Sequence, residues 1–298
     1  MSLKNWLQFW YIAIMWGATF LWLKIGIREI PPITLNAYRL TISSLGLLLF
    51  LWLTKTPFPF LKHWKTFLIL GLFNVALPFA AITMSEQHIT TAMASMLNAA
   101  TPLFTMTLAA FFLADEGWTW RKVIGIGLGV AGVYILVFNK LSETSQAFQY
   151  GQLLVLGACL AYGIGAVYSR KHAPDLKPPA LAAGQAIMAA VSLWVAALIT
   201  ESPIRFPTQG LTWISIFWLG ILATAIGTTI FFYLLKDIGA GRTMMSHFTF
   251  PVIGVILGMV FLNETVDWHF VLGGALILLG ILVVNRSIRL PEPAKENL

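Results

Sequence analysis

The stretch LNAATPLF, Leu97 to Phe104, lies in an apolar run that reads as helix from about Thr90 to Leu113, yet it holds a polar Asn98 and a Pro102. Proline inside a helix removes one backbone donor and pushes on the carbonyl four residues earlier. Here that residue is Asn98. The stretch HFTFPVIG, His247 to Gly254, does the same: Pro251 sits mid-helix and His247 stands four residues before it. The two prolines are 149 residues apart. In lipid a freed carbonyl is tolerated only where buried protein or a wet cavity supplies a partner. Each stretch is therefore expected to present a free carbonyl and a polar side chain to the interior.

The rest of the chain sets these breaks in a membrane. Of its 298 residues, 58% are hydrophobic and 10% are charged, against roughly 25% charged in soluble domains. Mean hydropathy is +0.80. The single cysteine, Cys159, excludes an internal disulfide framework and a cysteine-based zinc site, and the five histidines show no ligand spacing. The apolar run from Trp6 to Leu23 is long and lacks a small-residue cleavage site, so it reads as a retained first span.

A span needs about 20 apolar residues. Ten candidates follow: 6–27, 33–53, 66–85, 90–113, 120–138, 150–169, 178–200, 211–235, 242–262 and 268–285. They are separated by loop signals such as TKTPFP (54–59), SETSQ (142–146), PDLKPP (174–179) and DIGAG (237–241). The polar tail from about Arg286 is expected to be disordered. With a cytoplasmic N-terminus, only Lys24, Arg28, Arg39, Lys140 and Arg205 of the 19 lysines and arginines fall outside, and 14 fall inside. The positive-inside rule thus selects an N-in, C-in protein. It also explains the net charge of +7 without any nucleic-acid partner.

The halves echo each other. Trp64 and Trp213, Gly71 and Gly220, Asn98 and His247, and Pro102 and Pro251 are all 149 apart. Trp16-Gly17 and Tyr162-Gly163 stand 146 apart, and Pro31 and Pro178 stand 147 apart. Residues 1–145 and 146–286 therefore read as two five-span repeats, with 287–298 a cytoplasmic tail. An odd number of spans inverts the second repeat, a design that places a transporter's substrate site near the midplane between the halves.

The residues WGATF (16–20), Lys24, Pro31 and Arg39, and then TTAMASMLNAATPLFTMTLAAFFLADEGWTWRKVIGIGLGVAGVYIL (90–136), resemble the EamA family of the drug/metabolite transporter superfamily. The resemblance covers nearly the whole chain and both halves. It implies an all-α membrane protein of ten helices in two inverted repeats. The first four helices of each would surround a cavity, and the fifth and tenth would pack at the back. It further implies export of amino acids or other small metabolites. Tyr162 and Phe250 depart from the family pattern, where a tryptophan and a small residue would be less surprising.

The candidate substrate-binding residues are Trp16, Asn74, Phe79, Asn98, Tyr162, Thr228, Phe232 and His247, with Pro102 and Pro251 as helix breaks. Trp16 and Tyr162 occupy equivalent positions, each followed by glycine, and are expected to face each other. His247 is an ionisable group at membrane depth and a candidate proton acceptor. The bland reading of every one of these residues is helix packing. The twelve acids fall in loops, tails or span ends, although a longer span three would take in Glu86. The lack of a midplane carboxylate argues against a carboxylate-driven antiporter and against cationic drugs, and favours a neutral or zwitterionic substrate. Drug or organic-cation efflux and a nucleotide-sugar or organic-phosphate carrier are the alternatives within transport, and the latter would need cations facing the cavity. Glu116 and Glu264, at matching positions, are expected to cap the helices that follow them. Gly125, Gly127, Gly129 and Gly132 give span five a smooth face, read as packing on span ten, with a dimer face as the alternative. No catalytic pair appears at membrane depth and no GxxxxGK[ST] motif is present. An enzyme, a cofactor, a metal and ATP-driven transport are thus not expected. The partners are a small-molecule substrate and the lipid bilayer, with the protein acting as a monomer.

Overall fold

In the computed structural model, residues 2–114, 116–138, 145–173, 175–244, 246 and 249–285 are described. All regular structure among them is helical: α1 (Leu3–Gly17), α2 (Thr19–Gly26), α3 (Pro32–Leu53), α4 (Trp64–Gly71), α5 (Leu77–Ser85), α6 (Thr91–Asn98), α7 (Thr101–Phe112), α8 (Trp120–Phe138), α9 (Gln146–His172), α10 (Pro178–Thr200), α11 (Gly210–Phe217), α12 (Gly227–Met244), α13 (Thr249–Leu262) and α14 (Trp268–Asn285). Two π-helical segments, Leu72–Ala76 and Trp218–Ile226, join α4 to α5 and α11 to α12 without a break. Eight helical stretches are long and apolar enough to cross a membrane, and Thr249–Leu262 and Trp268–Val284 are shorter apolar helices.

Local chemistry accounts for the ends. Prolines 32, 78, 102 and 178 stand in first turns, where the missing N–H would have had no helical partner. Ser2, Thr90 and Ser145 accept from the amides of Asn5, Met93 and Phe148, as N-caps do. Carboxylates from distant segments cap further N-termini. Glu201 takes the amides of Ile33 (3.0 Å) and Thr34 (2.7 Å), and Glu29 takes those of Thr208 (2.7 Å) and Gln209 (3.2 Å).

Three expectations are corrected here. DIGAG is not a break, because α12 runs on to Met244; a helical glycine costs only about 1 kcal/mol, and Asp237 is held by Lys4 at 3.2 Å. Glu264 does not cap the helix that follows it. Its two oxygens take the amides of Thr91 (2.7 Å) and Ala92 (2.8 Å) at the start of α6, while Asp267 caps α14 through the amide of Phe270. Glu116 caps nothing and instead binds Lys122 (2.8 Å) and Arg170 (2.6 Å). Those two cations hold its carboxyl below the usual range. The tail beyond residue 285 lies outside the described residues.

The buried centre is made by α9, which packs on α5, α6, α7 and the first π segment. Val155, Ala158 and Cys159 of α9 meet Leu97, Ala100 and Leu103 there. Large apolar side chains such as Leu49, Trp52, Val130, Ile199 and Val260 point out from the perimeter, the arrangement lipid favours. Helices α8 and α14 pack along their glycines: Gly125, Gly129 and Gly132 approach Gly280, Leu103 and Gly273 respectively, while Gly127 faces open space. The smooth face is thus an intrachain contact, and Gly127 is not part of it.

Candidate functional site

The opening stretch is a true break. Helix α6 stops at Asn98, Ala99 and Ala100 form a turn, and α7 starts at Thr101. Pro102 therefore begins a second helix instead of kinking one. The Asn98 carbonyl is not free. Thr101 Oγ1 donates to it at 2.7 Å, and Cys159 Sγ lies 3.9 Å away. The second break closes in the same way: Thr249 Oγ1 donates to the Ser246 carbonyl at 2.5 Å, and buried Pro251 lies in the first turn of α13. The geometric counterpart of Asn98 is thus Ser246, 148 residues on. His247 lies outside the described residues. The expected free carbonyl is corrected at Asn98, where a threonine hydroxyl three residues along satisfies it; the expectation for the His247 carbonyl falls outside the described residues. The sequence carried that signal, since a threonine stands one residue before Pro102 and two before Pro251.

Backbone carbonyls that take side-chain donors lie instead in the second π segment; π-helical turns widen the backbone and shift its hydrogen-bond register. In the second segment Tyr11 Oη donates to the Leu222 carbonyl at 3.1 Å and Trp16 Nε1 to the Ala223 carbonyl at 2.7 Å. Thr224 Oγ1 donates to the Leu219 carbonyl at 2.7 Å. Each segment has a glycine pressed on a neighbouring backbone, Gly71 just before the first and Gly220 inside the second. A Cβ on Gly71 would lie 2.8 Å from the Gln185 carbonyl oxygen, and one on Gly220 would lie 2.8 Å from that of Arg39. Glycine permits this approach because it has no side chain. In sequence the two glycines stand out as a pair 149 residues apart, whereas the π-helices do not, since local propensity gives no signal for them.

Around these segments several candidates gather. Trp16 is half-buried, and its ring centroid lies 5.4 Å from those of both Phe231 and Phe250. Among the described residues its ring neighbours are these two phenylalanines, and it makes no ring contact with Tyr162. Tyr162 lies half-buried on α9, within electrostatic reach of Arg39. Asn74, in the first π segment, donates to Gln185 at 3.5 Å. Helix α9 crosses it at Gly165, where a Cβ would stand 3.1 Å from the Asn74 amide nitrogen. Thr228 is half-buried near the start of α12. The side chain of Phe232 lies outside the described residues.

Phe79 makes the most informative contact. The guanidinium carbon of Arg39 lies 4.0 Å above its ring centroid. Arg39 is only 5% exposed. Its Nε and Nη2 donate to Thr224 Oγ1 at 3.2 and 3.1 Å. Among the described residues no carboxylate lies within ion-pair distance of it. In sequence Arg39 reads only as a cation on the outer side near a span end, with nothing to mark it as part of this cluster.

A second polar cluster lies where α5 ends and α6 begins. Lys24 Nζ donates to the carbonyls of Glu86 and of Ile89, the latter at 2.9 Å. Thr91 Oγ1 donates to Glu86 Oε2 at 3.0 Å. Glu86 is fully buried, and its Oε1 has no hydrogen-bond partner among the described residues. The acid does stand at a span end, but that end is inside the protein.

The EamA-like transporter family matches residues 6–138 and again residues 149–286. An uncharacterized transporter, YoaV, of Bacillus subtilis (strain 168) is 27% identical over 274 residues, covering 91% of this chain and 93% of its own. A probable amino-acid metabolite efflux pump of Salmonella typhimurium is 26% identical over 293 residues, covering 95% of each. An uncharacterized inner membrane transporter, YedA, of Escherichia coli (strain K12) is 25% identical, covering 86% of this chain and 83% of its own. A solved crystal structure superposes with a TM-score of 0.67 at 20% identity, over 95% of this chain and 97% of that one, and so shares the fold.

Proposed function

The chain belongs to the EamA-like transporter family, and on that premise we propose that it is a secondary exporter of amino acids and similar small metabolites across the cytoplasmic (inner) membrane. Ten spans in two inverted repeats, residues 1–145 and 146–286, run N-in to C-in and alternate access to one site. The protein works as a monomer. The observation that carries this reading is buried Arg39 of α3, which links Phe79, just beyond the first widened segment, to Thr224 of the second, beside the rings packed on Trp16. Matched breaks at Asn98 and Ser246, and matched π segments at Gly71 and Gly220, support the repeat. The Salmonella relative, described as an amino-acid metabolite efflux pump, supports the substrate class and the direction. A buried cation in the cluster weighs against cationic drugs.

The substrate path runs past Trp16, Asn74, Phe79, Asn98, Tyr162 and Thr228, and by sequence position past Phe232 and His247. Proteoliposomes offered neutral amino acids, aromatic compounds, organic cations and phosphate esters, with and without a pH gradient, test the reading. Saturable uptake of at least one neutral amino acid without ATP is expected. Uptake of none of them would reject the substrate class. Tyr162→Ala is expected to lower that uptake about tenfold while the protein stays monodisperse in detergent, since loss of one well-placed aromatic contact is worth roughly 1 kcal/mol or more. Acceleration by a pH gradient that persists in His247→Ala would remove any proton role for that histidine.

A further inference from the structure

We propose that Arg39 is the binding group for a carboxylate on the transported molecule, an inference that deepens the amino-acid reading and rests on it. A charge in a protein interior is costly unless it is paired, and charged side chains at membrane depth are rare and face partners or cavities. Arg39 is 5% exposed, and its partners among the described residues are neutral. Thr224 Oγ1 receives Nε and Nη2 at 3.2 and 3.1 Å, and the Phe79 ring lies 4.0 Å beneath the guanidinium carbon. Five N–H donors belong to an arginine, and the two that point at Thr224 occupy one edge of the plane. The other edge, Nη1 with Nη2, makes no hydrogen bond among the described residues. Two parallel N–H groups on one edge are the fork that grips a carboxylate in bidentate fashion.

The mounting is rigid. Phe79 holds the guanidinium flat. Thr224 is itself anchored by its hydroxyl to the Leu219 carbonyl at 2.7 Å, across the π segment. The next residue back, Ala223, accepts from Trp16 at 2.7 Å, so the cation and the Trp16–Phe231–Phe250 rings are fixed to one short piece of backbone. A molecule with a carboxylate at one end and an apolar or aromatic group at the other fits both. The arrangement is also one-sided. At the 147-residue offset that relates Pro31 to Pro178, position 39 corresponds to Ala186, a buried alanine. The cluster thus offers one carboxylate site, not two.

The test compares ligands that differ only in that group. Uptake of phenylalanine into proteoliposomes is measured in competition with phenylalanine itself and with phenylalaninamide. The wild type is expected to prefer the acid at least tenfold. Arg39→Gln is expected to weaken the acid at least tenfold, leave the amide unchanged and so erase the preference. Arg39→Lys keeps the charge without the fork, and is expected to retain part of it. Equal affinity for acid and amide in the wild type, or an unchanged preference in Arg39→Gln, would overturn the proposal; should that variant fail to insert, an unchanged preference in Arg39→Lys does so. If the wild type carries no amino acid, the transport reading itself has failed. The Arg39 assignment is then decided by thermal stabilisation with 3-phenylpropionate against 3-phenylpropionamide. Selective stabilisation by the acid that Arg39→Lys or Arg39→Gln weakens supports it, and stabilisation by both or by neither rejects it.

Discussion

Gly132→Val is expected to remove most of the folded, monodisperse protein, and Gly127→Val, five residues away on the same helix, to leave it nearly unchanged. A Cβ on Gly132 would stand 2.5 Å from the Gly273 carbonyl oxygen and 2.8 Å from the Ile277 amide nitrogen, whereas a Cβ on Gly127 would meet nothing within 4 Å. The obstacle at Gly132 is backbone, so no rotamer change relieves it. Either α8 and α14 separate along their length, or the α14 backbone shifts. Overpacking against movable side chains costs about 1–3 kcal/mol; here the expected cost is at the top of that range or above it. Separation is also expensive because the contact continues at Gly280, where a Cβ would lie 2.8 Å from the Gly129 amide nitrogen. In lipid no hydrophobic effect restores such an interface, since close packing is much of what holds two apolar helices together. Size-exclusion profiles and melting temperatures of the two variants in detergent decide the matter. Equal melting temperatures would show that the helices part without loss.

This contact was legible before any coordinates, because glycines at a four-residue spacing in an apolar run have few other uses. The threonine locks of the two breaks were half legible. The prolines announced the breaks, but a freed carbonyl and a satisfied one look identical in sequence, and only the fold brings Cys159 to within 3.9 Å of Asn98. The π segments were not legible. A π turn is a tertiary compromise in which the helix widens so that Tyr11 and Trp16, more than 200 residues earlier, reach its carbonyls. No local preference encodes that. Arg39 was hidden for a related reason. Eight residues into its helix it counts equally well as a loop-side cation that snorkels, and only the positions of Thr224 and Phe79 show that it points inward. Glu86 was ambiguous by a single turn, and the structure resolves it as a buried acid at the helix end.

That acid carries the second large effect. The stability of the protein is expected to fall as pH rises from about 5 to about 8, and Glu86→Gln is expected to abolish most of that slope. Burial pushes the Glu86 carboxyl up to about 8 from an ordinary 4.5, against the opposing pull of Lys24 and the Thr91 hydroxyl and with a further push from Glu264. Lys24 does not cancel the burial, because its ammonium is directed at the backbone carbonyls of Glu86 and Ile89. The folded protein therefore holds a proton that the unfolded chain releases near pH 4.5. Stability depends on pH through the difference in bound protons. Between about 4.5 and 8 the folded state binds more, so each step up in pH weakens it. The contribution is fully present below that window and is lost as pH passes through about 8. Glutamine imitates the protonated acid: it is neutral, and it still offers an oxygen to the Thr91 hydroxyl that donates to Oε2 at 3.0 Å. Glu86→Gln should thus melt close to the wild type at pH 5 and well above it at pH 8.5. Melting curves of both proteins across that range measure the slope. A wild type that gains stability toward pH 8.5, with Glu86→Gln the weaker of the two there, would mean that the Lys24 ammonium outweighs the burial and that Glu86 is charged inside the fold.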